Sequence, residues 1–185
     1  MKTFILLPFC FLWLFSCTPK GELTAKDAQE LIIDHLEQHP IFEQGKFDTS
    51  KQRIDSKKQR ELLTSLEKLQ EEGLIEINNE KTRKKWFTKD SIFVVTTNLT
   101  KKALPYVVQQ NRNHTLVKTI LYKLNESKEV VIEKKSEKNA VCTVFLDKEK
   151  TPFYYFGDDS TPKSDFISRK FKLKFSEQEG WKVAK

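Results

Sequence analysis

The stretch KFKLKF, residues 170–175, alternates lysine with Phe171, Leu173 and Phe175. Successive side chains of a β-strand point to opposite faces of a sheet, so this spacing of two predicts a strand with one apolar face. The apolar face needs a core to cover it, whereas the three lysines belong in water. We therefore expect a sheet that is covered on one face and open on the other.

Further strands are predicted on both sides of this stretch. Strand-like stretches at 115–124, 129–135 and 140–146 are separated by short polar turns. Neighbours so close in sequence are expected to pair as antiparallel hairpins. The other predicted strands are 74–77, followed by a turn at Asn78-Asn79, then 92–97, and a closing strand at 181–183 whose Trp181 fills the core.

Two amphipathic helices are predicted before most of the strands. The first begins at the capping box Thr24-x-x-Asp27 and ends at His39-Pro40. The second begins at a similar box, Ser56-x-x-Gln59, and ends at Gly73. The core-facing residues are expected to be Ala28, Leu31, Ile32, His35 and Leu36 in the first helix and Leu62, Leu63, Leu66 and Leu69 in the second. Residues 41–56 are expected to be irregular.

Helices followed by a series of strands indicate an α+β fold, with the helices packed on one face of a curved, mainly antiparallel sheet. We expect one domain over 23–185, helical at 23–73, mixed at 74–114 and strand-rich at 115–185. Cystatin-like and nuclear-transport-factor-like folds share this layout, but a shared layout implies no function.

The chain begins with a lysine-bearing lead and an apolar run at 4–15. This run is typical of a secretory signal, because twelve residues make a helix of roughly 18 Å, too short for a hydrocarbon core of about 30 Å. It ends in LFSC at 14–17, and TPKG then breaks the apolar run with polar, turn-forming residues. An ordinary signal cut before Cys17 is the alternative, but Leu14 stands where such a cut requires a small residue.

The LFSC sequence resembles the lipobox of bacterial lipoprotein precursors, which has Leu three residues before the cysteine and a small residue just before it. The resemblance implies that residues 1–16 are a cleaved signal peptide, that Cys17 receives the lipid, and that 17–22 is a short tether. It implies a location in the bacterial cell envelope, attached to the inner or outer membrane by this lipid. Two or three acyl chains on one cysteine would be a nearly permanent anchor.

Lipidation would leave Cys142 as the last thiol of the mature chain, because Cys10 leaves with the signal peptide. A disulfide within the mature chain is then impossible, although export implies an oxidising compartment. Cys142 lies in an apolar run and is expected to be a small buried hydrophobe.

Two stretches are candidate contact surfaces. The first is TPFYYFGDD at 151–159, where a strand would bury only alternate rings and leave two facing outward, unless the loop at 160–168 or a helix covers them. Exposed aromatics beside carboxylates are typical of ligand and protein contacts, and an envelope protein is one expected partner. The residues of this first candidate site are Phe153, Tyr154, Tyr155 and Phe156.

The second stretch is a basic run that could contact anionic lipid headgroups or lipopolysaccharide phosphates. The alternative is a solvated turn. Its residues are Lys81, Arg83, Lys84, Lys85 and Trp86.

A nucleic-acid partner is not expected, although the formal net charge is +7. The segment LEKLQEEGLI at 66–75, with the strands that follow, resembles a winged-helix recognition helix running into its wing. Export would keep the protein from the chromosome, and Glu67, Glu71 and Glu72 would repel phosphates.

The sequence contains no Gly-rich phosphate loop, no Gly-x-Ser-x-Gly and no His-Glu-x-x-His. His35 and His39 have the spacing of metal ligands, but no third ligand is close in sequence, so we expect neither a metal nor another cofactor. The sequence predicts a binding protein that is not an enzyme. The alternatives are a lipid-anchored hydrolase that uses Asp158, Asp159 or His114, and a purely structural envelope protein.

Overall fold

A computed structural model describes residues 21–84 and 91–184 of the chain, with the backbone alone for 79–84. The α+β fold is confirmed, and its sheet is curved and antiparallel. The helices are α1 (Ala25–Gln38) and α2 (Arg60–Glu71), with short 3₁₀ helices at Lys101–Tyr106 and Tyr154–Phe156. The strands are β1 (Ile41–Asp48), β2 (Gln52–Asp55), β3 (Ile75–Lys84), β4 (Ser91–Leu99), β5 (Val107–Gln110), β6 (His114–Leu124), β7 (Val131–Ser136), β8 (Asn139–Lys150), β9 (Phe166–Ser176) and β10 (Gly180–Val183).

The strands form two sheets. The larger sheet has the order β1-β6-β8-β9-β10, with β5 also paired to β6 and β7 also paired to β8. The smaller sheet has the order β2-β4-β3. Across the part of the chain that is described, no helix is both long and apolar enough to span a bilayer.

Strand β9 confirms the alternation at 170–175. Phe171 and Leu173 are buried and Phe175 is half-buried, whereas the three lysines are exposed. Helix α1 covers the apolar face through buried Ala28, Ile32 and Leu36, which join one core cluster with the inner residues of β8 and β9. Trp181 packs against this cluster but remains partly exposed.

Helix α1 begins and ends as its sequence predicts. The Asp27 backbone N–H donates to the Thr24 hydroxyl over 3.1 Å, and the Thr24 N–H donates to the Asp27 carboxylate over 3.2 Å. This reciprocal pair satisfies two amide groups that the first turn leaves without helical partners. His39 caps the other end, directly before Pro40.

Helix α2 ends as predicted but begins differently. Gly73 has a φ of 70°. The Gly73 N–H donates to the Gln70 carbonyl and the Leu74 N–H to the Leu69 carbonyl, a Schellman ending. The predicted capping box at Ser56 is wrong, because the helix begins after Gln59 and the Ser56 hydroxyl accepts a hydrogen bond from the Ser91 N–H instead.

The prediction of an irregular segment at 41–56 is wrong, because β1 and β2 occupy most of it. Each strand has one fully buried apolar anchor, Phe47 in β1 and Ile54 in β2. Strand β1 pairs along one side with β6 and is bulged between Glu43 and Gln44. The bulge interrupts the alternation of inward and outward side chains along β1, so the sequence of this strand shows no regular period of two.

Two predicted connections also differ from the structure. Strands β6 and β7 do not pair as a hairpin; both lie along the same edge of β8, which is long enough to pair with each in turn. The predicted turn at Asn78-Asn79 is wrong, because β3 continues through it with a bulge between Asn79 and Lys81.

A second core cluster lies between α2 and the smaller sheet. Its buried residues include Leu66, Leu69, Ile75 and Val95 of these elements, and it also takes in Phe47, Val117 and Phe153 from the larger sheet and the aromatic segment. Side chains from both sheets therefore share this core.

Candidate functional site

The aromatic segment 153–156 is a 3₁₀ turn and not a strand. The Thr151 hydroxyl donates to the Lys118 carbonyl over 2.7 Å and accepts from the Phe153 N–H over 3.1 Å, which bends the chain back onto β6. The prediction of two outward rings is wrong, because the turn buries Phe153 fully, half-buries Tyr154 and Phe156, and leaves Tyr155 exposed.

The first and last rings of the segment anchor it to β1. Phe153 and Phe156 meet Phe47 edge-on, with ring centroids 5.6 and 4.9 Å apart. A Cβ added to Gly45 would lie 2.0 Å from the Phe156 carbonyl oxygen, so β1 needs glycine where the segment crosses it. The aromatic segment therefore has a rigid base.

Tyr155 stands on this base with 45% of its surface exposed and a groove on each side. One groove, of about 480 Å³, is lined on the β1 side by Gln44 and Lys46 and also contains Asp158. The other, of about 460 Å³, runs to Lys68 of α2 and to Glu72, which caps the end of that helix. On that side the Lys150 ammonium lies 4.3 Å from the centroid of the Tyr154 ring. An exposed aromatic ring between two polar grooves is an arrangement suited to contact with another molecule.

The loop that follows the aromatic segment is held by a buried ion pair between Lys148 and Asp159. Their side chains are only 4% and 8% exposed. Lys148 also donates to the Thr161 carbonyl over 2.5 Å, and Asp159 accepts from the Thr161 N–H over 2.9 Å and from the Tyr154 hydroxyl over 3.3 Å. The hydrogen bond from Lys148 is the main reason why the pKa of Asp159 is lowered.

A second set of hydrogen bonds joins the same loop to β1 and β6 through Glu43. Its carboxylate accepts from the Tyr122 hydroxyl over 2.6 Å, from the Ser160 N–H over 3.2 Å and from the Ser160 hydroxyl. Burial raises the pKa of Glu43, but the hydrogen bonds from Ser160 and Tyr122 outweigh it and the net pKa is lowered. Burial, followed by the hydrogen bond to Glu43, raises the pKa of Tyr122 to about 12.

These bonds hold the loop in place. The Ser160 hydroxyl faces an ionised carboxylate that already accepts two other hydrogen bonds, and Lys148 is paired with Asp159. One polar atom of the loop lacks such a bond. The Thr161 hydroxyl is buried and has no hydrogen-bond partner among the described residues. The sequence pointed to Asp159, but it contains no signal for Glu43 and Tyr122, which lie far from the loop along the chain.

The residues of the predicted hydrolase do not come together. His114 begins β6 opposite Asp48, and its ring contacts the Asn111 amide at 3.2 Å. Glu43, next to the Asp159 loop, is opposite Ile120, six residues further along β6 and hence about 20 Å away. Asp158 lines the groove beside Tyr155.

A third feature, which the sequence did not indicate, is an apolar cleft of about 380 Å³ at the end of α1. Its wall combines residues that are distant in sequence, so no local pattern marks it. The lining includes Leu36, Pro40, Ile41, Leu121 and Leu124, with Tyr122 and Lys123 beside them.

The two histidines of α1 lie together, with ring centroids 4.9 Å apart, but His35 also packs on Phe171. Burial, followed by the charge of His39, lowers the pKa of His35. Within 21–84 and 91–184 there is no cluster of three or more His, Cys, Asp or Glu residues that could hold a metal ion.

The remaining predicted site residues are placed only in part. The backbone of Lys81, Arg83 and Lys84 belongs to β3 and pairs with β4, so the basic run is not a turn over these residues. Lys85, Trp86 and Cys17 lie outside the described residues. Cys142 is fully buried in the first core cluster, as expected, and burial raises its pKa.

No family model, curated protein or solved structure matches the chain significantly.

Proposed function

We propose that this chain is a bacterial lipoprotein, anchored in the cell envelope through a lipid on Cys17, whose exported α+β body binds a partner. The observation that carries the anchoring is LFSC at 14–17, which closes an apolar run and is followed at once by TPKG. A short tether is supported by the position of Gly21, four residues after Cys17. The Gly21 carbonyl accepts a hydrogen bond from the Trp181 ring N–H over 3.0 Å, so the fold begins directly after the tether. The body would therefore lie close to the membrane.

The partner is an envelope protein, and the contact surface is centred on Tyr155. The surface is supported by a rigid base under an exposed ring, with grooves on both sides. Binding is favoured over hydrolysis because His114 lies on a different part of β6 from the Asp159 loop and Asp159 is already bound to Lys148. Tyr155 is expected to act as a preorganised anchor, since a tyrosine has few rotatable bonds to immobilise.

Labelling with radioactive palmitate in cells tests the anchor. The wild-type chain and Cys10→Ser are expected to incorporate label, because Cys10 is part of the leader that is removed. Cys17→Ser is expected to incorporate none. Label in Cys17→Ser, or its absence from the wild type, would refute the lipid anchor.

A photo-crosslinking amino acid at position 155 of the anchored chain tests the binding surface. We expect one covalent adduct of defined mass from position 155 and none from position 30, an exposed site on α1. Identical adducts from both positions, or none from position 155, would contradict a contact centred on Tyr155.

A further inference from the structure

The open face of the larger sheet concentrates lysines on two adjacent strands. Lys170, Lys172 and Lys174 lie on the outer side of β9, and Lys182 of β10 is directly opposite Lys174. All four are exposed, and we refer to them as the lysine face. Helix α1 covers the opposite face, so the lysine face is free of the described core.

The positive charge of this face is only partly balanced. Lys182 pairs with Glu179 over 2.7 Å. Glu133 of β7 lies on the same side of the sheet, but it is bonded to Lys135. Among the described residues, Lys172 and Lys174 form no ion pair with a carboxylate. The charge of Lys170 acts on Glu133 only as the last of the causes that shift the pKa of Glu133, the first being its hydrogen bond from Lys135. Two lysines directly across from each other destabilise a sheet, so their pairing suggests an anionic partner in the working protein.

Apolar side chains continue the same face beyond the lysines. Phe166 is 40% exposed and Val131 59% exposed, and the strand register places both on the outer side of the sheet. The Lys128 ammonium lies 4.4 Å from the centroid of the Phe166 ring and 4.6 Å from that of Phe145. Lysines beside exposed aromatic and aliphatic groups are typical of surfaces that lie at a membrane interface.

The chain enters the fold beside β10, the edge strand that borders the lysine face. The Trp181 ring, on the α1 side of β10, donates to the Gly21 carbonyl, and Lys182 is the next residue, on the opposite side of the strand. Gly21 is four residues from Cys17, and four residues span at most about 14 Å even when fully extended. A bilayer holding the lipid of Cys17 would therefore begin within about 14 Å of Gly21, which is bonded to the strand that borders the lysine face.

From this charge, apolar content and tether length, we infer that the lysine face docks on anionic phospholipid headgroups of the bilayer in which the chain is anchored. The inference rests on the proposed anchoring at Cys17. Docking would orient the body, so that the surface around Tyr155 has a defined position relative to the membrane.

Lysine acetylation of the full, lipidated chain on vesicles tests this orientation. Vesicles of phosphatidylcholine alone are compared with vesicles that also contain phosphatidylglycerol, and modification is read for each lysine by mass spectrometry. On the anionic vesicles we expect the modification rates of Lys170, Lys172 and Lys174 to fall by about fivefold. The rates of exposed Lys57, Lys58 and Lys101 should not change. The protection should disappear at 1 M salt, where the Debye length is about 3 Å.

Two triple variants with the same loss of charge separate a specific face from net charge. In K170Q/K172Q/K174Q, the remaining Lys182 should lose its protection on anionic vesicles. In K57Q/K58Q/K101Q, Lys182 should stay protected. Thermal melting of both variants shows whether the fold is retained, since all six positions are exposed.

The outcomes separate this inference from the proposed anchor. The N-terminal peptide of the same digest shows whether Cys17 is acylated; without acyl chains, the anchor and the docking are both refuted. An acylated chain with equal modification on both kinds of vesicle refutes the docking alone. Protection that requires lipopolysaccharide in the vesicles would also overturn it, because the ligand would then not be phospholipid.

Discussion

At the scale of single residues, the loop after the aromatic segment shows how buried charge is tolerated. Removing Lys148 and Asp159 from water is unfavourable unless each finds polar partners. Lys148 is bonded to Asp159 and to the Thr161 carbonyl, and Asp159 also accepts from Thr161 and Tyr154. Glu43 adds a second, separate set of bonds to the same loop. The loop is therefore held by charge-assisted hydrogen bonds rather than by apolar packing alone.

The raised pKa of Tyr122 predicts a loss of stability in alkaline solution. The folded pKa of about 12 lies above the ordinary value of 10.0. The contribution of neutral Tyr122 to the unfolding free energy is therefore complete below pH 10. It falls by about 2 kcal/mol as pH rises toward 12. Tyr122→Phe should cost about 1–2 kcal/mol at neutral pH and then show a smaller alkaline decline.

Urea unfolding between pH 7 and pH 12 measures this decline. Tyr155→Phe is the control, because its hydroxyl is outside the Glu43 hydrogen bonds and the variant keeps Tyr122 in place. If Tyr122→Phe lost as much stability as the wild type over this interval, Tyr122 would not be the cause.

At the scale of elements, the crossing of β1 by the aromatic segment depends on Gly45. A methyl group at this position would lie 2.0 Å from the Phe156 carbonyl oxygen, and backbone cannot move aside as a flexible side chain can. We expect Gly45→Ala to lower the unfolding free energy by about 3 kcal/mol, the upper end for overpacking. It should also weaken crosslinking from position 155, because the base of Tyr155 is displaced.

Denaturant unfolding of Gly45→Ala beside Gln44→Ala, an exposed neighbour on the same strand, tests the crossing. Gln44→Ala should change the stability by less than about 0.5 kcal/mol. Equal effects of the two substitutions would mean that the close approach is not required.

The elements that could be predicted from sequence are those whose own residues define them. Strand β9 has strict alternation, α1 has a capping box, and α2 has a glycine in the left-handed conformation at its end. Strands β1 and β2 could not be predicted because each has a single buried residue. The remaining stabilisation of these strands comes from pairing with distant strands, β6 and β4. Tertiary pairing decides such segments, and local propensity does not.

The candidate site follows the same rule. The segment at 153–156 could be located from four consecutive aromatics, but its conformation could not, since it depends on the Lys118 carbonyl and on Gly45. Tyr122 and Glu43 could not be predicted, because burial and loop contacts make them part of the site.

At the scale of the whole molecule, Phe153 joins the larger sheet to the second core cluster. It is fully buried, and its ring centroid lies 5.6 Å from that of Phe47 in β1 and 5.8 Å from that of Tyr106, which follows β4 in the chain. Leu173 is equally buried but belongs to the first cluster, below α1. Substitutions of Phe153 and Leu173 therefore test two different parts of the core.

Phe153→Ala is expected to lower the unfolding free energy by about 3–5 kcal/mol and Leu173→Ala by about 2–5 kcal/mol, from lost contacts and the cavities left behind. Hydrogen exchange should locate the two effects. Phe153→Ala should raise exchange mainly in α2 and β4, whereas Leu173→Ala should raise it mainly in α1, β8 and β9, since local opening follows the weakened cluster. If both variants raised exchange equally in all these elements, the two clusters would open as a single unit, and the division of the core into two parts would be wrong.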